Sequence, residues 1–260
     1  MSENDDGFTL VTSKSRRKAT SRKPPTAVAD QQGFYTVTKS RAAKPLSLLV
    51  DQTLAEIASK RYTLATSGYL AQLASHITLL GSLCPAEIVC FGVGSPTGSQ
   101  ASQWQITLVL EIQDALKPIR VSAYDPVVTD ADRRMLDRLD IEVLTENEEG
   151  RRVARERTLF FMPHCEQFLY ENLVAANWTR ETLEKVVVVG NRFAMYRDAQ
   201  GQEEFARRSP HLDRILRGGL EVVELPSETH LRLKHPPYAF TDTCIQYASS
   251  DKLGLIDFSH

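Results

Sequence analysis

Five short apolar runs recur along the chain: EIVCFGVG (87–94), RVSAYDPV (120–127), IEVL (141–144), RTLFFMP (157–163) and KVVVVGN (185–191). Most are continuous rather than alternating, the mark of strands buried on both faces, as in parallel sheets. Stretches with helical spacing lie between them. SQASQWQITLVLEIQDAL carries a stripe of Ala101, Trp104, Leu108, Ile112 and Ala115. Thr129–Asp140 reads as a helix with Thr129 as N-cap and an acidic first turn. CEQFLYENLVAANW places Leu169, Leu173 and Ala176 on one side, and Ser209–Gly219 ends on a glycine stop. Alternation of this kind specifies an α/β fold, a Rossmann-like open and mostly parallel sheet with helices on both faces and right-handed crossovers. The valine run of 185–191 predicts the sheet centre. LEVVELP and FTDTCIQYA read as two last strands, and the segment from Pro45 to Gly81 as one or two helices ahead of the sheet.

Composition sets the limits. A chain of 260 residues with 42% apolar and 25% charged residues can bury a sizeable core. The net charge of −2 gives no global pull toward nucleic acid or an anionic membrane, and no apolar run approaches the ~20 residues of a spanning helix. The first thirty residues lack the apolar core of a secretory signal. Charge is uneven, however. Residues 1–45 hold nine Lys/Arg against four Asp/Glu, so the rest of the chain is acidic. The segment SKSRRKATSRKPP (13–25) predicts a disordered basic arm over residues 1–44, ahead of one α/β domain over 45–260. Such an arm serves as a nuclear-import or polyanion-binding element, or simply as a solubilising tail. Cys84, Cys90, Cys165 and Cys244 show no C-x-x-C spacing, which argues against a zinc ribbon and for reduced thiols. These features predict a cytoplasmic protein, also nuclear if the arm is an import signal.

In an open α/β sheet, ligands bind beyond the carboxyl ends of the strands. At that edge the sequence places Gly92, Gly94 and Ser95 in the loop GVGSPTG, then Asp125, Glu146 and Asn147, the pair His164 and Cys165, and Asn191. Gly92 and Gly94 would let a ribose or phosphate approach the backbone, and the next helix would offer free N–H groups. Their spacing is G-x-G-x-x-x-G, not the dinucleotide G-x-G-x-x-G. Asp125 stands where nucleotide-binding folds hold a ribose. These features suit a nucleotide or S-adenosylmethionine, and a transferase using one of them. The alternative is a tight strand–helix turn with a capping aspartate. Cys165 in the first turn of a helix, beside His164, could be a low-pKa nucleophile or a metal or haem ligand. Equally, His164 could cap the helix while Cys165 packs as a small hydrophobe. ENEEG (146–150) offers three carboxylates, but Arg151 and Arg152 follow and can neutralise them. Cys90 is expected in the core, and Trp178 is expected to pack.

FGVGSPTGS, WQITLVL, YDPV, LTENEEGRR, TLFFMPHCEQFLYENLVAANW, VVVVGNRF and the terminal FTDTCIQY together resemble the sensitivity-to-red-light-reduced family, over about residues 45–250. So does the N-terminal DGFTLV followed by a basic run. The motif positions fall on Gly92, Gly94, Asp125, Glu146, Asn147, Glu148, Glu149, Gly150, Pro163, His164, Cys165, Tyr170, Asn172, Trp178, Gly190 and Asn191. Pro96 and Thr145 depart from the family pattern. The resemblance implies a regulatory role: circadian-clock input and light signalling in plants, clock-gene expression and haem biosynthesis in animals. It implies no established enzymatic activity, no catalytic residue and no named protein partner.

Overall fold

A computed structural model describes residues 45–231, 233 and 238–259. The basic arm of residues 1–44 lies outside them, so its expected disorder and its import or binding roles are not addressed by the structure. The sheet comprises β1 (Glu87–Phe91), β2 (Arg120–Tyr124), β3 (Glu142–Val143), β4 (Thr158–Met162), β5 (Val186–Asn191), β6 (Glu221–Glu224) and β7 (Thr243–Tyr247). Its spatial order is β3-β2-β1-β4-β5-β7-β6. The first five pair in parallel, and β7 runs antiparallel to both β5 and β6. The fold class is therefore as the alternation predicts. The middle strand is β4 rather than the valine-rich β5, which lies next to it because β7 pairs on its far side.

Successive side chains of a strand point to opposite faces. The five-residue runs therefore divide their apolar residues between two cores. Ile88 and Cys90 of β1, Leu159 and Phe161 of β4, and Val187 and Val189 of β5 enter one. Val89 and Phe91, Phe160 and Met162, and Val186 and Val188 enter the other. That is why these runs are continuous in sequence: neither face meets water.

The first core is closed by α1 (Leu46–Thr66), α2 (Tyr69–Leu83), α3 (Gln100–Leu116) and α4 (Asp130–Asp137). Gly68, at φ 84°, makes the left-handed break between α1 and α2. Helix α2 runs through Gly81 and stops at Cys84 instead. Helix α3 is buried almost all round from Ser102 to Leu110, because the sheet lies beneath it and α1 and α2 lie over it. Trp104, Leu108 and Ile112 of its expected stripe are thus part of a wider buried surface, while Ala101 is partly buried and Ala115 is exposed. Helix α1 is fastened at its two ends by ion pairs: Arg138–Asp51 at 2.6 Å and Arg61–Glu111 at 2.7 Å.

The second core is closed by α5 (Gln167–Ala176), α6 (Arg180–Leu183), α7 (Phe193–Gln200), α8 (Gln202–Arg208), α9 (Pro210–Gly218) and α10 (Ser250–Leu253). On α5 the buried residues are Tyr170, Leu173 and Val174, not the expected Leu169, Leu173 and Ala176. Trp178 packs as expected, 4.8 Å from the His211 ring and 5.3 Å from that of Phe258. No helix among the described residues is long and apolar enough to cross a membrane.

Candidate functional site

The strand order turns back between β1 and β4: connections before that point run toward β3, and those after it run toward β5. Such a switch point leaves a crevice at the carboxyl ends of the two strands. The first loop leaves β1 through Gly92 (φ 72°) and Gly94 (φ 71°), both left-handed. The Gly92 N–H donates to the Tyr124 carbonyl at 3.2 Å, which ties the loop to the end of β2.

Two carboxylates then fix the loop. The Gly94 N–H donates to Asp125 Oδ2 at 2.7 Å, and the Val127 N–H to Asp125 Oδ1 at 3.0 Å. The Thr97 N–H donates to Asp132 Oδ1 at 2.8 Å and the Ser95 hydroxyl to Asp132 Oδ2 at 2.7 Å. Asp132 also closes a capping box with Thr129 at the start of α4. It is fully buried. Burial pushes its carboxyl upward, but the hydrogen bonds from Thr129, Thr97 and Ser95 outweigh that and hold it below the usual carboxylate range. Asp132 was legible only as an acid in a helix first turn, since its loop contact spans more than thirty residues of chain.

The strand-four corner is built by a second network. His164 adopts φ 56°, a costly conformation outside glycine that asparagine and histidine tolerate best. It is held there because its N–H donates to Asn191 Oδ1 at 2.9 Å. Asn191 Nδ2 donates to the Tyr196 hydroxyl at 2.8 Å, and that hydroxyl donates to the Cys165 carbonyl at 2.6 Å. The Tyr170 hydroxyl accepts the Asn191 N–H at 2.9 Å and donates to the Met162 carbonyl. Tyr196 gave no signal in the sequence, since it stands on a short helix with no recognisable motif.

Cys165 departs from its expected setting. Helix α5 begins at Gln167 with Glu166 as N-cap, so Cys165 precedes the helix and gains nothing from a first turn. Its thiol is buried and donates to the Phe91 carbonyl at 3.3 Å. Burial, with the nearby Asp125 and Glu166 carboxylates, pushes its pKa up to about 12. A thiol so placed is not a thiolate at neutral pH, so an activated nucleophile is not formed here. Sγ instead fills the space over Gly92, where an added Cβ would lie 2.6 Å away. The His164 ring turns to the Ala239 carbonyl, 3.1 Å from Nε2, rather than capping the helix. The described residues contain no group of three or more His, Cys, Asp or Glu suited to a metal ion. Cys90 is in the core as expected, and no disulfide is formed.

The structure therefore brings Gly92, Gly94, Ser95, Asp125, His164, Cys165 and Asn191 along one continuous edge, from β2 across β1 and β4 to β5. Glu146 and Asn147 stand apart, exposed in the loop after β3. Asn147 Oδ1 accepts the Glu149 N–H at 3.0 Å in a local turn. Arg152 holds Glu148 at 2.5 Å, and Arg151 pairs with Glu149, so two of the three acids are neutralised locally by the arginines as expected. Beside the corner lies a cavity of about 350 Å³, lined by Arg192, Glu224, Glu228, Tyr238, Phe240 and Cys244 among others. It sits at the same sheet edge, beyond β5, β7 and β6. A larger hollow of about 720 Å³, bordered by Ile119, Arg120 and Glu142, lies at the opposite edge, where β2 starts.

The SRR1 domain matches residues 69–247, a span that holds every residue of this edge. The chain belongs to the SRR1 family. It is 35% identical over 122 residues to protein SENSITIVITY TO RED LIGHT REDUCED 1 of Arabidopsis thaliana, covering 46% of this chain and 44% of that protein. An SRR1-like protein of Mus musculus is 34% identical over 123 residues, 46% of this chain and 49% of its own length. One of Drosophila melanogaster is 30% identical over 109 residues, 42% and 40% respectively. The chain thus spans about half the length of the curated relatives it matches or less. No solved structure matches it.

Proposed function

We propose that this chain is a regulatory protein of clock input, clock-gene expression and haem biosynthesis, and that it acts by binding a small molecule at the carboxyl edge of its sheet. The observation that carries the binding role is the joining of four strand ends at one switch point: Gly92 to Tyr124, Gly94 to Asp125, Cys165 to Phe91, and His164 to Asn191. The name of the Arabidopsis relative, which refers to sensitivity to red light, supports a signalling role. Deletion of the gene is expected to change rhythm or haem content, and an Asp125→Ala chain is expected not to restore them. Unchanged rhythms and haem after deletion would contradict the regulatory role. Full restoration by Asp125→Ala would contradict the role of this edge.

A second role, as an S-adenosylmethionine-dependent transferase, is favoured by the strand order. An antiparallel seventh strand set between the fifth and the sixth is an arrangement such transferases also use, an analogy of fold that says nothing of catalysis. Haem or metal binding through His164 and Cys165 gains less support, since the two side chains diverge and the thiol is protonated and packed. A hemin absorbance titration that shows no difference between the parent chain and His164→Ala would remove it.

A further inference from the structure

The cavity of about 350 Å³ at the ends of β5, β6 and β7 has walls fixed by the backbone. The Arg192 N–H donates to the Asp242 carbonyl at 3.2 Å, which joins the end of β5 to the start of β7. The Leu225 N–H donates to the Thr243 carbonyl at 3.0 Å and ties in the end of β6. Asp242 turns left-handed at φ 58°, and the Thr243 N–H closes that turn on the Phe240 carbonyl at 3.1 Å. The Glu228 carboxylate, itself buried, accepts the Phe240 N–H. Helix α2 holds the rim: the Tyr69 hydroxyl donates to the Pro226 carbonyl at 3.2 Å, and His76 Nε2 lies 2.8 Å from the Glu224 carbonyl oxygen. A cavity tied on so many sides is preformed. Its volume lies at the lower end of the range of about 300–1,000 Å³ that small-molecule sites occupy. That size suits a single amino acid rather than a dinucleotide or a haem.

Its charges are left unmatched. Four charged residues among those described line it: Arg192, Glu224, Glu228 and Asp242. Glu228 is committed to the loop. The other three have no side-chain partner among the described residues: the guanidinium makes no ion pair or hydrogen bond, and neither carboxylate accepts one. One positive and two negative groups thus border the same space, all three exposed to an arriving ligand. A simple anion would be drawn to Arg192 and repelled by both carboxylates, and a simple cation would meet the reverse. Complementarity calls for one anionic and two cationic groups on one small molecule. A free amino acid with a basic side chain carries that set. Its carboxylate matches the guanidinium fork, and its α- and side-chain ammonium groups match the two carboxylates. Leu225, Pro226 and Phe240 give its methylene stem an apolar wall. A lysine within a peptide has neither the free carboxylate nor the free α-ammonium.

We infer that this cavity binds a free basic amino acid of the lysine type, its carboxylate on Arg192 and its two ammonium groups on Glu224 and Asp242. The cavity lies beyond β5 rather than between β1 and β4, so the inference goes beyond the role proposed above, and its failure would leave that role standing. The test is calorimetric titration of the full chain with L-lysine and three analogues that each lack one charge. Cadaverine lacks the carboxylate, ε-aminocaproate the α-ammonium, and L-norleucine the side-chain ammonium. The expected result is tightest binding of lysine, with each analogue weaker by about tenfold or more, the worth of one charge-assisted hydrogen bond. In Arg192→Gln, lysine should lose its advantage over cadaverine. The analogue series uses only the parent chain, so a misfolded variant would not obscure it. Equal binding of cadaverine and lysine by the parent chain would overturn the assignment to Arg192. Equal binding of norleucine or ε-aminocaproate would overturn the pairing of two ammonium groups with Glu224 and Asp242. A preference for lysine over cadaverine that persists in a folded Arg192→Gln chain would place binding elsewhere and overturn the site. If lysine does not bind, the inference fails as a whole.

Discussion

The contact between Gly92 and Cys165 yields a quantitative expectation. In Gly92→Ala the new methyl would sit 2.6 Å from Cys165 Sγ, well inside contact distance, at a φ of 72°. Two costs arise. The left-handed conformation costs a non-glycine residue about 1–2 kcal/mol. Overpacking against a thiol that is itself buried and bonded to Phe91 adds about 1–3 kcal/mol. The single variant should lose about 2–5 kcal/mol. Cys165→Ala removes the sulfur and, as a small deletion in the core, costs its own amount. In that background Gly92→Ala should retain only the backbone cost of about 1–2 kcal/mol, so the pair should couple by about 1–3 kcal/mol. Equilibrium unfolding in urea of the four chains measures this. If Gly92→Ala costs the same in both backgrounds, the sulfur does not fill the space over Gly92, and the description of the corner is wrong.

Other expectations follow from the same networks. Asp132→Asn retains one acceptor oxygen for the donors of Thr129, Thr97 and Ser95 and should cost about 3 kcal/mol near neutral pH. Because the folded carboxyl of Asp132 lies below its unfolded value of about 3.9, its stabilisation is complete above that pH and is lost as pH falls through the folded value. The variant should therefore show a shallower loss of stability below about pH 4 than the parent, as measured by acid unfolding monitored by circular dichroism. Tyr170→Phe keeps the ring contact to Phe193 at 5.2 Å but leaves the buried Asn191 N–H and Met162 carbonyl without the hydroxyl. It should lose about 1–3 kcal/mol in denaturant unfolding, and an unchanged midpoint would argue against the network. A thiol reagent should label exposed Cys84 quickly in the native chain while Cys90, Cys165 and Cys244 react only on unfolding. Rapid labelling of Cys165 would contradict its burial and its raised pKa.

The legible parts of the fold were those set by local pattern. Buried parallel strands read as unbroken apolar runs because both faces are covered; β4 and β5 lie within one residue of their predicted bounds, and β1 ends three residues early, at Phe91, where the glycine loop begins. Strand β3 shrinks to Glu142–Val143 because it is an edge strand with a single neighbour. Helices α7 and α8 were not read at all. They are short, α8 is highly charged, and the second core anchors them chiefly through Phe193 and Phe205. The insertion of β7 between β5 and β6 was equally invisible, since it depends on pairing between segments more than fifty residues apart.

The site was legible where glycines and an aspartate mark strand ends: Gly92, Gly94 and Asp125. It was not legible where partners come from afar. Asp132, Tyr196 and the role of Asn191 as an acceptor for the His164 N–H are products of tertiary placement. Of the two readings open for Cys165, the packed hydrophobe is the one the structure bears out; what the pattern missed is the helix start, which lies two residues later, at Gln167. That small shift turns a thiol favoured by a helix terminus into one raised by burial.

The central claim is that a ligand binds at the carboxyl edge between β1 and β4. The most direct measurement is amide chemical-shift perturbation of the labelled chain on titration with S-adenosylmethionine. The account expects the amides of Gly92, Gly94, Asp125 and His164 to move together and saturate. Shifts confined to the opposite edge, around Ile119 to Glu142, or no shifts at saturating ligand, would contradict it.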